Sequence, residues 1–139
     1  MTSWPPARAK YRSNAMLGYI ALGGLVGTMA RYGLQGWIQE RLAPSVLPIG
    51  TLAVNILGSL LLGFLVRFGT GTVVMAPEVR AGLTIGFCGA FTTMSTFAYE
   101  SRALFGGGAV GQALVYMLST VVGSVLAIMA GMALANRLL

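Results

Sequence analysis

The residues best suited to chemistry in this sequence are neutral polar side chains inside otherwise apolar segments. Three segments carry them, and the polar residues are Asn55, then Thr92, Thr93, Ser95 and Thr96, then Tyr116, Thr120 and Ser124. Amide and hydroxyl groups donate hydrogen bonds without carrying a charge, so they can bind a small ion or a neighbouring helix. The chain has no histidine, one cysteine and three acidic residues. No catalytic constellation can be assembled from this set, and we predict that the protein is not an enzyme.

The spacing of these residues places several of them on common helix faces. Tyr116, Thr120 and Ser124 recur every four residues, which puts their hydroxyls on one face of a helix. Asn55 lies on a similar line, between Thr51 and Ser59. An amide in hydrocarbon is costly unless it is hydrogen-bonded. For Asn55, contact with a partner helix and contact with a polar pathway are equally compatible with the sequence.

The elements that position these residues are predicted to be membrane-spanning helices. Hydrophobic residues make up 56% of the 139-residue chain and charged residues only 9%, where a soluble domain carries about a quarter charged residues. Mean hydropathy is +0.80. A spanning helix needs roughly 20 mainly apolar residues, and four segments meet this criterion: residues 16–37, 48–66, 81–99 and 109–136. The fold class predicted is an all-α integral membrane protein.

The positive charges indicate membrane flanks rather than a nucleic-acid surface. The net charge is +6, but its arginines and lysines are scattered at the ends of apolar runs. Residues 1–15 form a basic stretch that we predict to be a disordered leader, and Met16 is an alternative start. Outside this leader the two sides of the membrane receive equal numbers of arginines. This balance permits insertion in both orientations, whereas the leader favours one, and charge alone does not decide between them.

The third apolar segment contains the stretch GFCGAFTTMSTFAYE, residues 86–100, which is unusual for a helix in lipid. Gly86 and Gly89 loosen a helix, and the hydroxyls that follow can satisfy backbone groups freed by a break. Irregular backbone in a membrane is tolerated where protein buries it or a cavity solvates it. Phe91, Met94 and Phe97 recur every third residue and are predicted to share one side of a tight turn. We therefore predict a break in the third helix.

Arg31 is the charged residue most relevant to an ion pathway. It lies late in the first segment, where it either snorkels to the interface or forms an electropositive vestibule that attracts anions. The three glutamates, Glu40, Glu78 and Glu100, are predicted to lie in connectors or at the end of a span. A proton-coupled cation exporter needs a carboxylate within the membrane, so this placement argues against one.

The combination of these motifs resembles the Fluc-type fluoride channels, also called the CrcB family. The resemblance rests on GTLAVNILGSLLLG (residues 50–63), GFCGAFTTMSTFAYE, GGLVGTMARY (residues 23–32) and the spacing of the three hydroxyls in the fourth segment. It implies a small channel in the cell (inner) membrane that passively exports fluoride and thereby relieves fluoride toxicity. It also implies an antiparallel dual-topology homodimer with two pores, surrounded by membrane lipid and without a nucleic-acid partner.

The resemblance further assigns roles to individual residues. A structural sodium ion at the dimer centre would be held by the backbone carbonyls of Gly89 and Thr92. Arg31 would lie in the vestibule, and the role of Glu100 stays open. The fluoride pathway would be formed by Asn55, Met94, Ser95, Thr96, Phe97, Tyr116, Thr120 and Ser124.

Position 94 departs from the family pattern, because the family's first motif phenylalanine is methionine here. A methionine is polarisable but lacks the positive ring edge that favours an anion.

The sequence leaves two alternatives to the channel. One is a small multidrug-type four-helix transporter, and the other is a membrane subunit that transports nothing.

Overall fold

The structure is a computed structural model that describes residues 14–42, 47–71 and 75–139. Its described part is helical, with three long helices and a segmented fourth. Their bounds are α1 (Asn14–Leu42), α2 (Ile49–Gly71), α3 (Pro77–Ala81), a π-helical segment (Gly82–Cys88), α4 (Gly89–Phe91), α5 (Met94–Gly106) and α6 (Val110–Asn136).

The segments from α3 to α5 form one span, and α2 and α6 form two others. Ile49–Gly71, Pro77–Gly106 and Val110–Asn136 are each long and apolar enough to cross a membrane. At 29 residues α1 is long enough as well, but its glycines and Arg31 make it less apolar. The prediction of four spans is therefore confirmed for three helices by length and composition, while α1 is confirmed as a helix.

Three of the helices extend beyond the predicted spans. The first helix continues to Leu42, the second to Gly71, and the third spans Pro77–Gly106 in place of residues 81–99. Few residues that favour turns follow the predicted ends of these spans. The helices therefore continue past their apolar parts. Of the predicted leader, residues 1–13 lie outside the described residues. Its last two residues, Asn14 and Ala15, belong to α1.

Close packing between the spans depends on small residues. The long helix α1 packs along the π-helical segment and α4, and α2 packs along α6. A side chain at Gly86 would collide with the backbone oxygen of Ile20. Gly86 is therefore a contact residue between two helix backbones, as expected for membrane helices, and it lies within the π-helical segment that precedes the break.

Candidate functional site

The third span is interrupted at Thr92 and Thr93. Helix α4 ends at Phe91, Thr92 and Thr93 take extended backbone conformations, and α5 begins at Met94. The Thr93 hydroxyl caps α5 by accepting from the Thr96 N–H at 3.3 Å and donates to the Thr96 hydroxyl at 2.9 Å. The Ser95 hydroxyl lies 3.5 Å from the same Thr93 oxygen. The break is confirmed, but its two extended residues lie three and four positions beyond Gly89.

The side chain of Asn55 on α2 closes this break from the neighbouring helix. Its Oδ1 accepts from the Thr93 N–H at 2.7 Å, and its Nδ2 donates to the Thr93 carbonyl oxygen at 3.2 Å. Asn55 is only 7% exposed. Both polar ends of the amide are therefore engaged with the freed backbone of Thr93, as burial of an amide in apolar surroundings requires. Of the two roles that the sequence left open for Asn55, the structure shows the interhelical contact.

The break also removes the helical donors of several carbonyls, among them those of Gly89 and Thr92. In a continuous α-helix the Gly89 carbonyl would accept from the N–H of residue 93, and the Thr92 carbonyl from that of residue 96. The Thr93 N–H bonds to Asn55 instead, and the Thr96 N–H bonds to the Thr93 hydroxyl. Both carbonyls, those of Gly89 and Thr92, thus lose their partners within the helix, and Gly89 is exposed on the protomer surface.

A second polar cluster lies on Glu100, one and a half turns along α5 from the break. Thr51 donates to Glu100 Oε1 at 2.8 Å, and the Tyr116 hydroxyl donates to Oε2 at 2.7 Å. Tyr116 is 2% exposed and its ring lies 5.3 Å from that of Phe97. Glu100 is half-buried within the helix of the third span. The helix itself continues for six residues beyond Glu100.

A groove on the protomer surface brings most of the predicted pathway residues together. This groove, which we call the central groove, has a volume of about 340 Å³. Thr120 on its wall is buried and bonds to the carbonyl of Tyr116 in its own helix. Among its lining residues are Asn55, Ser59, Thr92, Thr93, Met94, Phe97, Thr120 and Ser124.

The three hydrophobic residues around the break do not share one face. Met94 and Phe97 in α5 both line the central groove, Met94 71% exposed and Phe97 buried, whereas Phe91 at the end of α4 is buried and does not line it. The prediction of a common side assumed a continuous turn. The two extended residues between Phe91 and Met94 change the direction of the chain, so the threefold spacing does not carry across the break.

A second cavity, which we call the vestibule, opens beside the far end of α1. It has a volume of about 510 Å³, and Arg31, Gln35, Gln39 and Glu100 are among its lining residues. The Nε of Arg31 donates to the carbonyl of Ala90 in α4 at 3.1 Å. Arg31 thus lines this cavity and also pairs a carbonyl close to the break.

The sequence interpretation missed Gln35 and Gln39. Gln35 donates to Thr51, and Gln39 both donates to the Leu47 carbonyl and accepts from the Gly50 N–H. The signal was present in the sequence, because Arg31, Gln35 and Gln39 are spaced four apart and share a helix face.

Comparison with known proteins decides the family of the chain. Residues 18–132 match the family described as "CrcB-like protein, Camphor Resistance (CrcB)". The chain belongs to the CrcB family.

Two relatives of this CrcB-family chain are named as fluoride channels. A protein of Syntrophotalea carbinolica named "Fluoride-specific ion channel FluC" is 42% identical over 120 residues, which cover 86% of this chain and 97% of the relative. A protein of Bacteroides fragilis with the same name is 44% identical over 115 residues, covering 81% of this chain and 90% of the relative. The name of these relatives is that of a channel and not of an enzyme, in agreement with the expectation from the sequence.

Proposed function

We propose that this CrcB-family protein is a fluoride-selective channel that lets fluoride leave the cell passively across the cell (inner) membrane. The observation that carries the proposal is the similarity, over most of the chain, to relatives named as fluoride-specific ion channels. The structure adds a groove with the polar residues such a path requires. Fluoride is small and strongly hydrated, so its passage needs hydrogen-bond donors that replace water, and hydroxyl and amide groups provide them.

The donors available to a passing anion are unequal in the protomer. Ser95 is exposed, and Ser124 lines the central groove. Asn55, Thr96 and Thr120 already take part in hydrogen bonds. An anion that binds at Asn55, Thr96 or Thr120 would replace a hydrogen bond within the protein. The loss of that bond offsets part of the binding free energy, so the anion is not held too tightly to leave.

We propose further that two copies assemble as an antiparallel dual-topology homodimer with two pores. The central groove supports this, because Asn55, Thr92 and Ser124 lie along an open surface of a chain whose surroundings are apolar. Polar groups and irregular backbone facing lipid are costly. A second copy seated on this groove would cover them and convert it into an enclosed path. We also propose that α1 spans the membrane with the other helices, since it packs along the third span over most of its length.

A structural sodium ion at the dimer centre fits the residues present. The carbonyls of Gly89 and Thr92 have lost their helical donors, and oxygen atoms are the ligands that hard cations prefer. Two carbonyls from one protomer leave coordination positions that the same two carbonyls of a second copy would fill. Bound there, the ion would supply positive charge beside the break, and Asn55 would hold the Thr93 backbone in the required conformation.

The two alternatives are not favoured by any contact in the structure. Glu100 lies in the helix of the third span, so the placement of the glutamates does not by itself exclude a multidrug-type transporter. Membership of the CrcB family disfavours it instead.

A test in cells uses a bacterial strain without its own fluoride exporter. Expression of this chain is expected to restore growth on millimolar fluoride, and failure of a well-expressed chain to restore growth would contradict the proposal.

A further inference from the structure

The hydroxyl of Thr51 lies between an amide and a carboxylate. Gln35 Nε2 donates to Thr51 Oγ1 at 3.0 Å, and Thr51 Oγ1 donates to Glu100 Oε1 at 2.8 Å. A threonine hydroxyl has one proton and free lone pairs. Because the Gln35 amide occupies a lone pair of the oxygen, the proton of Thr51 is directed towards Glu100.

Both carboxylate oxygens of Glu100 are held in this way by other helices. Thr51 on α2 holds Oε1, and Tyr116 on α6 holds Oε2 at 2.7 Å. Hydrogen bonds to an ionised carboxylate are short and stronger than those between neutral groups. Glu100 is thereby fixed in position on the wall of the vestibule.

The vestibule contains an opposite charge that would otherwise attract Glu100. Arg31 and Glu100 line the same cavity of about 510 Å³. Arg31 is held by the Ala90 carbonyl, and Glu100 by two hydroxyls, so the two charges are bonded to different partners. A freed carboxylate would be drawn towards the guanidinium. The pair would then cancel the positive potential with which the cavity concentrates anions.

We propose that Gln35 is a positioning residue that, through Thr51, holds Glu100 away from Arg31 and keeps the vestibule electropositive. The inference rests on the proposed function as an anion channel. Gln35 need not touch the permeating ion, because its effect is exerted through the proton of Thr51 and the position of Glu100.

The test compares Gln35→Met and Gln35→Glu in purified protein reconstituted into liposomes, with the fluoride concentration for half-maximal efflux as readout. Gln35→Met keeps the shape but removes the donor, and we expect that concentration to rise about tenfold, the low end of the enrichment produced by charged clefts. Maximal efflux should change little. Gln35→Glu accepts the Thr51 proton and adds a negative charge, so its effect should be larger. Gln112→Met, an exposed glutamine on α6, is the matched control and should match wild type.

Two further measurements separate positioning from packing. In an Arg31→Gln background, Gln35→Met should cause no additional rise, and at high salt the rise should shrink because exposed charges are screened. A packing role would reduce efflux equally in both backgrounds and at both salt concentrations, which would overturn the inference.

The outcomes also distinguish this inference from the proposed function. Absence of fluoride efflux through wild-type protein contradicts both. Normal wild-type efflux with an unchanged half-maximal concentration in Gln35→Met and Gln35→Glu overturns the inference alone. If the Gln35 variants do not fold, Thr51→Val removes the same hydroxyl and is expected to cause the same rise, and an unchanged value there overturns it equally.

Discussion

Asn55 and Thr93 form a two-point contact in which one side-chain amide pairs both backbone groups of one residue. Asn55 Oδ1 accepts from the Thr93 N–H at 2.7 Å and Nδ2 donates to the Thr93 carbonyl at 3.2 Å. The contact joins α2 to the break in the third span. It explains how an extended residue is stable inside an apolar segment, since neither of its backbone groups is left unpaired.

Replacement of Asn55 by leucine is therefore expected to destabilise the protein strongly. Two buried backbone groups would lose their partners, at about 1–3 kcal/mol each. Asn55→Asp, protonated at this buried position, keeps an acceptor for the Thr93 N–H and has one O–H donor, so it should be less damaging. Thermal unfolding in detergent measures the order of the two variants. Thr70→Ala, at the exposed end of α2, is the control, and equal midpoints for Asn55→Leu and Thr70→Ala would contradict the role.

The packing of α1 on the third span gives a second prediction. A side chain at Gly27 would collide with the carbonyl oxygen of Phe87, whereas one at Gly33 in the same helix meets no atom within 4 Å. Gly27→Ala should therefore destabilise by about 1–3 kcal/mol, the usual cost of overpacking. Gly33→Ala should be neutral or stabilising by up to about 1 kcal/mol, because alanine favours the helix. Unfolding midpoints test this, and a Gly27→Ala variant as stable as Gly33→Ala would show that the close approach is wrong.

Met94 supplies a third prediction that concerns permeation and not stability. Its side chain is 71% exposed on the single chain and lines the central groove, so the ring of Met94→Phe would extend into the groove and not into the interior of the chain. A phenylalanine edge carries partial positive charge. We expect fluoride flux or its selectivity over chloride to change in liposomes. The free energy of unfolding should stay within about 0.5 kcal/mol of wild type, as for substitutions outside the packed interior. Identical flux and selectivity would show that position 94 does not contribute to the path.

The dual-topology assembly can be tested without purification. Reporters that are active on only one side of the membrane, fused to the C-terminus, should both give signal, because the same chain would insert in two orientations. A signal from one side alone would contradict the antiparallel dimer and would assign control of orientation to the basic N-terminal residues.

Much of the fold could be predicted because it follows from composition along the chain. The apolar segments, the helical class and the interruption near TTMSTF were all evident from residue type and spacing. The position of the interruption was not, because it depends on Asn55, which is 38 positions away in sequence from Thr93. Which threonine contacts the Asn55 amide depends on the register of α2 against the third span, and residue spacing along the chain does not specify that register.

The candidate site shows the same division between local and long-range information. The line Tyr116, Thr120, Ser124 follows from helical periodicity, and its face was predicted correctly for Thr120 and Ser124, which line the central groove. The bond between Tyr116 and Glu100 was not predictable, because it joins two helices whose register the sequence does not specify. Gln35 was missed for another reason. Its spacing from Arg31 was visible in the sequence, but a glutamine near the end of a span is usually solvated, and its contact with Thr51 on α2 joins two helices.

The most direct test of the account is fluoride efflux from liposomes that contain the purified protein, followed with a fluoride electrode. The account predicts rapid fluoride efflux and no chloride efflux under the same gradient, with Gln112→Met behaving as wild type and Asn55→Leu losing flux. Efflux of both anions would contradict selectivity. Absence of any flux from well-folded, reconstituted protein would contradict the channel itself and leave a membrane subunit that only packs against partners.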